Sequence, residues 1–285
     1  QAVRQFKHNK MAVAGLIIIL ILLAIIIATV VIDIVTDQSF YNEHVIKQDL
    51  SLRLAKPSAE HIFGCDEYGR DLFLRIIWGT RLSLTIGIAA IFLSVIIGAP
   101  FGIIAGYYGK TTDNIIMRFM DGLSAFPSLV LAIAIASAIG RGTTSAMIAA
   151  GIVGIPQYAR LMFAQTVSVK EKQYIEASRA VGVKTSEIIL KHILPNCLAP
   201  LMVRATMGLG FAILTVSSLS FLGMGVQPPS AEWGSMISEG RRYVVSGEWW
   251  LTVFPGLGIV TSILGFNLLG DGIRDILDPR NRSGS

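Results

Sequence analysis

The feature that most constrains this chain is an unbroken apolar run from Met11 to Ile32, entered after Arg4, Lys7 and Lys10 and closed by Asp33. At 1.5 Å per residue, about 22 residues make ~33 Å of helix, enough to cross the hydrocarbon core of a bilayer. A secretory leader also begins with basic and then apolar residues, but its apolar part is about 7–15 residues long and ends at a small-residue cleavage site. The run is too long for that and reads as a permanent transmembrane helix. Five further segments are long and apolar enough to span, near Leu82–Gly106, Ile115–Ile139, Ala146–Val167, Pro200–Leu222 and Trp250–Leu269. Only 15% of the 285 residues are charged and 53% are hydrophobic, whereas a soluble domain carries about 25% charged residues. The fold class expected is therefore all-α, a polytopic membrane protein with six transmembrane helices.

Six crossings put both termini on one side. That side collects about 13 Lys and Arg against about 9 on the other, so the positive-inside rule predicts cytoplasmic N- and C-termini. The division that follows is a cytoplasmic tail over 1–10, the first helix over 11–32 and an extracytoplasmic segment over 33–78. A single membrane core over 79–270 comes next, with a cytoplasmic loop at 168–199 and an extracytoplasmic loop at 223–249. A cytoplasmic tail over 271–285 completes the chain. The net charge of +5 lies between apolar blocks and sets topology, which argues against nucleic acid as a partner and makes the lipid bilayer the surrounding medium. Cys65 and Cys197 fall on opposite sides of the membrane, too far apart for a disulfide.

Catalytic chemistry finds no support. Gly109-Lys110-Thr111 suggests a phosphate-binding loop, but the glycine required five positions earlier is Ile104, so no nucleotide site is expected on this chain. His8, His44, His61 and His192 are not spaced as a metal pair, and no nucleophile elbow occurs. No metal site and no catalytic residue are expected. Asp121, Arg160, Arg204 and Asp271 lie near the apolar segments, and all four are placed toward cytoplasmic helix ends, where pairing or snorkelling satisfies them. The lack of a carboxylate at mid-membrane argues against a proton-coupled secondary transporter. Gly98, Gly102 and Gly106 recur every fourth residue, a spacing that lets another helix backbone approach closely. Pro127, Pro156 and Pro255 are expected to kink their helices.

The stretch Tyr174–Pro195 reads as two short helices joined by a turn. Gly182 supplies a left-handed residue to end the first, Thr185 or Ser186 caps the second, and Pro195 ends or restricts it. Ile189, Leu190, Ile193 and Leu194 form an apolar stripe for the membrane helices. Ala177, Ala180 and Val181 give the first helix a small-residue face ringed by Glu176, Arg179 and Lys184. A helix so slim can sit deep in a partner's groove, with the rim charges setting register.

Glu176-Ala177-Ser178, three residues, Gly182, nine residues and His192-Ile-Leu194-Pro195 resemble the EAA loop of ABC importer permeases, with Ser178 in place of the second alanine. His61-Ile-Phe-Gly64-Cys65-Asp66-Glu-Tyr-Gly69-Arg70-Asp71 is similar to a segment of the C-type permease subunits for dipeptides, oligopeptides and nickel, with Cys65 at the position of a threonine. Ala125-Phe-Pro127-Ser, and Ser220-Phe-Leu-Gly223-Met-Gly225-Val-Gln227-Pro228-Pro229 with Glu232-Trp233-Gly234, resemble the same branch. The resemblance runs over nearly the whole chain.

It implies a permease of the type I importer architecture in a bacterial or archaeal cytoplasmic membrane. The subunit would import di- or oligopeptides, with nickel complexes or another small polar solute as the alternative. Its implied partners are a second permease subunit in a heterodimer, two ATPase subunits that hold ATP and Mg, and an extracytoplasmic solute-binding protein. No cofactor would be bound by this chain itself. The coupling residues implied are Glu176, Ala177, Ser178, Arg179, Gly182, Lys184, Leu194 and Pro195. Asp66, Gly69, Arg70, Asp71, Gln227, Pro228 and Trp233 would shape the extracytoplasmic gate or the docking face for the binding protein.

Overall fold

A computed structural model describes residues 9–277, so most of the N-terminal tail and the end of the C-terminal tail lie outside the described residues. The long helices are α1 (Lys10–Val35), α2 (Leu72–Tyr108), α5 (Thr143–Lys170), α8 (Leu194–Phe221) and α10 (Trp250–Leu277). Between α2 and α5 lie α3 (Lys110–Ser124) and α4 (Ser128–Ile139), bent by 92° at their junction. Shorter helices are α6 (Gln173–Ala180), α7 (Thr185–Ile188) and α9 (Trp233–Gly240). Counting the bent pair as one span, six segments are long and apolar enough to cross a membrane. In hydrocarbon every backbone N–H and C=O must be satisfied within the chain, and apolar runs of this length meet that demand as helices.

The crossings alternate. Asn9 Nδ2 donates to Asp275 Oδ2 at 2.8 Å, so the start of α1 and the end of α10 lie together. At that same end the Lys170 ammonium donates to the Gly106 and Tyr107 carbonyls at 2.9 and 3.2 Å. This hairpin end also carries α6 and α7. At the opposite loop end, Gly142 N donates to the Met224 carbonyl and Arg70 reaches Glu239.

The glycine spacing of α2 meets a matching spacing on α5. A Cβ on Gly98 would lie 2.7 Å from the Ile155 carbonyl oxygen, one on Gly102 would collide with that of Ala159, and one on Gly106 would lie 2.9 Å from that of Phe163. The two backbones therefore touch over three turns. α1 packs on α10 by the same means, since a Cβ on Gly265 would lie 2.6 Å from Ile18. The outer face of α1, with Ile17, Leu20, Ile27 and Val31, is exposed and belongs to lipid.

Two features differ from the sequence expectations. α2 begins at Leu72, about ten residues before the apolar window at Leu82, because Asp71 Oδ1 accepts from Leu74 N at 2.9 Å and caps it. At 37 residues α2 is ~55 Å long and projects beyond any bilayer. The span expected at Ile115–Ile139 is broken at Ala125–Pro127, where Pro127 cannot donate to the helix ladder. Pro156 and Pro255, by contrast, sit inside uninterrupted helices.

Gly102→Leu should therefore destabilise the folded protein by about 1–3 kcal/mol, the usual cost of overpacking. Gly122→Ala, at a position with open space around it, should be neutral or slightly stabilising. Thermal unfolding in detergent reads both, and equal midpoints for the two variants would contradict a close-packed seam.

Candidate functional site

At the hairpin end, α6 ends in a glycine turn. Val183 N donates to the Ser178 carbonyl at 3.1 Å and Gly182 N to the Arg179 carbonyl at 3.0 Å, with Gly182 at φ +80°. This is the Schellman arrangement, in which the left-handed residue satisfies carbonyls that the helix leaves open. Gly182 thus takes the expected conformation. The expected cap does not form: Lys184 holds the N-cap position of α7, no side chain bonds there, and Thr185 and Ser186 fall inside the helix. Pro195 does not end the second helix either. A π-helical segment, Ile189–Ile193, absorbs the missing donor, and the chain continues into α8 with Pro195 in its first turn.

The hairpin is anchored on one side and bare on the other. Ile175, Ile188 and Ile193 are fully buried against Tyr158, Met162, Val169 and Cys197. The buried stripe is thus Ile188 with Ile193, while Leu190 of the expected stripe is exposed and Leu194 half-buried. The Arg179 guanidinium lies over the Tyr107 ring at 5.0 Å, Ser178 Oγ donates to the Tyr174 carbonyl, and Asn196 Nδ2 donates to Tyr174 Oη. Facing away are Glu176, Ala177, Ala180, Val181, Gly182, Lys184 and Pro195, all exposed. Val181 is 79% exposed, which leaves an apolar tip uncovered on an otherwise fixed element.

Midway along the bundle, the break between α3 and α4 opens a cavity of about 650 Å³. Ser124 and Ser128 flank the break, and Gln157, Arg160 and Arg204 line the facing wall. Arg160 Nη2 bonds Asp121 Oδ1 at 2.8 Å, the mutual pairing expected of such residues. For Arg160 and Arg204 the placement at helix ends is corrected. Gln157 stands halfway along α5, Arg160 is one turn further, and Arg204 is ~15 Å into α8 from Leu194. The apolar run begins only at Pro200 because Lys191, His192 and Asn196 make the first turns of this helix and the segment before it polar.

At the loop end the motif His61–Asp71 forms a buried clasp. Asp66 Oδ1 accepts from Tyr68 N and Arg70 N, and Asp66 Oδ2 takes the Arg70 Nε at 2.6 Å. Arg70 Nη2 continues to Glu239 Oε2 at 3.1 Å, and Arg75 Nε lies 3.3 Å from Asp66. His61 Nδ1 meets Asp71 Oδ2 at 2.8 Å, and Tyr243 Oη donates to Glu67 Oε2 at 2.6 Å. Gly69 sits at φ +72°, and a Cβ there would strike the Asp49 carbonyl. Burial pushes the Cys65 thiol up to about 12, so it is a packing residue without thiolate character. Burial also raises the Glu239 carboxyl, against the pull of Arg75 and Arg70. Arg75 and Glu239 were missed as partners from sequence, although a pair of arginines five residues apart at the mouth of an apolar run was the available signal.

Glu232-Trp233-Gly234 plugs into the helices. Glu232 is fully buried; its carboxylate accepts from Gly234 N at 2.9 Å and Ser235 N at 2.8 Å and caps α9. Trp233 Nε1 donates to the Ile76 carbonyl at 3.1 Å, its ring seated against Gly79 and Gly258. Among the loop-end residues singled out from sequence, Asp66, Gly69, Arg70 and Trp233 are buried and Asp71 is half-buried, so they shape the surface from beneath. Gln227 and Pro228 are exposed on it.

Residues 98–283 match the family of binding-protein-dependent transport system inner membrane components, and residues 1–57 match the N-terminal transmembrane domain of oligopeptide transport permease C. The dipeptide transport system permease protein DppC of Alkalihalophilus pseudofirmus is 44% identical over 283 residues, 99% of this chain and 90% of that protein. The probable D,D-dipeptide transport system permease protein DdpC of Escherichia coli K12 is 46% identical over 232 residues, 81% of this chain and 78% of that protein. Inward-facing MetNI, a methionine ABC transporter, shares the fold with a TM-score of 0.59 at 18% identity, over 73% of this chain and 98% of that chain. The chain belongs to the ABC importer permease family, in its C-type dipeptide, oligopeptide and nickel branch. It is a multi-pass inner-membrane protein of a family whose permeases are not the catalytic subunits.

The Glu232 plug carries a pH signature. Burial raises its carboxyl above the ordinary 4.5, with the Gly234 and Ser235 N–H groups pulling the other way. A raised folded value means that this group's contribution to stability is full below about 4.5 and lost as pH rises through the folded value. Glu232→Gln does not titrate, so its unfolding midpoint relative to the natural protein should rise between pH 5 and pH 8. A constant or falling difference would contradict the buried charge.

Proposed function

We propose that this chain is a membrane-spanning subunit of an ATP-driven importer of di- or oligopeptides, and that the α6–α7 hairpin is where it is driven. The observation that carries this is the combination of a rigid root and a bare tip. Ile175, Ile188 and Ile193 fix the hairpin to α5 and α8, while Ala177, Ala180, Val181 and Gly182 present a slim apolar ridge left exposed by the described residues. Such a ridge suits a groove in a soluble motor, with Glu176, Arg179 and Lys184 meeting charges at its rim. The similarity to dipeptide transport permeases supports the choice of solute.

In this reading the hairpin end is cytoplasmic, with both termini, and two ATPase subunits there bind ATP and Mg while this chain binds neither. A second permease subunit completes a heterodimer around the cavity face. An extracytoplasmic solute-binding protein docks at the loop end, where Gln227 and Pro228 lie on the surface and the Asp66–Arg70–Glu239 clasp holds it rigid. A push on the ridge then passes into α5 and α8 together, because both are welded to the hairpin root.

Gly182→Val tests the coupling. A β-branched residue at this positive φ costs about 1–2 kcal/mol, which opens the turn locally. Co-purification of the ATPase subunits and ATP-driven peptide uptake should both be lost, with the unfolding midpoint of the membrane body nearly unchanged. Glu176→Lys should weaken the same association by reversing a rim charge. Uptake that survives removal of the ATPase but collapses with the proton gradient would overturn the reading in favour of a secondary transporter.

A further inference from the structure

Arg204 is the charge in this bundle that its neighbours leave least accounted for. Among the described residues no carboxylate pairs with it. Its one side-chain partner is Gln157, whose amide oxygen, oriented by the donors that face it, accepts from Nη2 and Nε. The other arginine of the cavity, Arg160, is neutralised by Asp121. The cavity therefore carries a net positive charge, and that charge sits at Arg204.

Its position is also a crossroads. A second cavity of about 410 Å³ lies toward the hairpin end and shares Leu161, Arg204 and Met207 with the first. Its far wall reaches Arg274. Arg204 thus stands on the boundary between the two spaces, with a guanidinium open to each.

We propose that Arg204 is a solute-contacting residue that takes a carboxylate, the C-terminal carboxylate of a peptide in transit, with Gln157 holding its guanidinium in place. The inference rests on the peptide-importer reading and adds to it a residue and the chemical group it recognises. A guanidinium offers a planar fork that matches a carboxylate with two parallel hydrogen bonds, which an amide cannot match. Arg274 in the adjoining space offers a second cation down the path, so the carboxylate can leave Arg204 without entering an uncharged wall. The serines beside the break add hydroxyls, which donate or accept and so tolerate varied side chains.

Reactivity of a reporter thiol tests this in membranes containing the full complex, without needing energised uptake. Ser128→Cys is introduced after Cys65 and Cys197 are replaced by alanine, and is treated with an anionic and a cationic methanethiosulfonate reagent. With each rate taken relative to that reagent's rate with a free thiol in solution, the anionic reagent should be favoured about tenfold, the order expected for one nearby unpaired cation. Arg204→Gln should bring the ratio near unity, and Arg204→Lys should keep most of it. Ala-Ala should slow the anionic reagent; Ala-Ala amide should not. Protection by Ala-Asp amide to the same degree would move the recognised group from the peptide terminus to its side chain and overturn the proposal. So would equal normalised rates in the natural background, or equal protection by the amide. ATP-driven uptake by the natural complex is measured separately: its absence sinks the importer reading, whereas its presence with a charge-blind cavity sinks only the role of Arg204.

Discussion

The seam between α2 and α5 is the contact on which the rest of the structure depends. Between helices in lipid there is no hydrophobic drive, because the tails are as apolar as leucine, and close van der Waals contact must hold them. Gly98, Gly102 and Gly106 remove the side chains that would keep the backbones apart, and the α5 carbonyls of Ile155, Ala159 and Phe163 fill the space. Directly below, Lys170 reaches across the seam to the carbonyls that close α2 and satisfies acceptors that its helix leaves open. Tyr107, one residue further, carries Arg179 of the hairpin on its ring. The hairpin is therefore suspended from the seam, and a force on it acts on α2 and α5 as one body.

Much of this was legible because a bilayer reads sequence simply. Runs of some 20 apolar residues have to be helices, and the glycine period, the Gly182 turn and the small-residue face of α6 each follow from a local rule. What was not legible came from contacts distant in the chain. The first turns of α2 escaped detection because Arg70, Asp71, Arg75 and Arg81 break the apolar window; they are stable there only because Asp66, Glu239 and Asp33 meet those charges from other segments. Pro195 signals a stop locally, yet the π segment before it and the burial of Ile193 carry the helix through. The cap expected at Thr185 is displaced because the turn already places Lys184 at the helix start.

The loop end shows why a motif rich in charge need not be a contact surface. Arg70 and Arg75 are each about 1% exposed, and a buried guanidinium is tolerated only when carboxylates and carbonyls surround it. Asp66 meets both, and Glu239 binds them from α9, so the clasp ties the segment before α2 to the segment after α8. Trp233 and Glu232 continue the same tie into the bundle through Ile76, Ser83 and Ser217. The clasp takes Arg70 out of solvent and leaves Gln227 and Pro228 exposed on the surface above it.

The broken span brings these constraints together. A bend of 92° between α3 and α4 interrupts the ladder of hydrogen bonds within one candidate span, and irregular backbone in a span survives only where water or protein can reach it. Ala125, Phe126 and Pro127 are exposed, so protein does not cover them in this chain. Ser124, Phe126 and Ser128 line the cavity instead, on the same space as Gln157, Arg160 and Arg204. The face of α5 that presents Gln157 and Arg160 is the one turned away from the seam, since Ile155, Ala159 and Phe163 are committed to α2. The backbone at the break and the guanidinium of Arg204 thus make the same demand of one place, a polar environment on the open face that they share. A chain that only packed against lipid would have no reason to meet it.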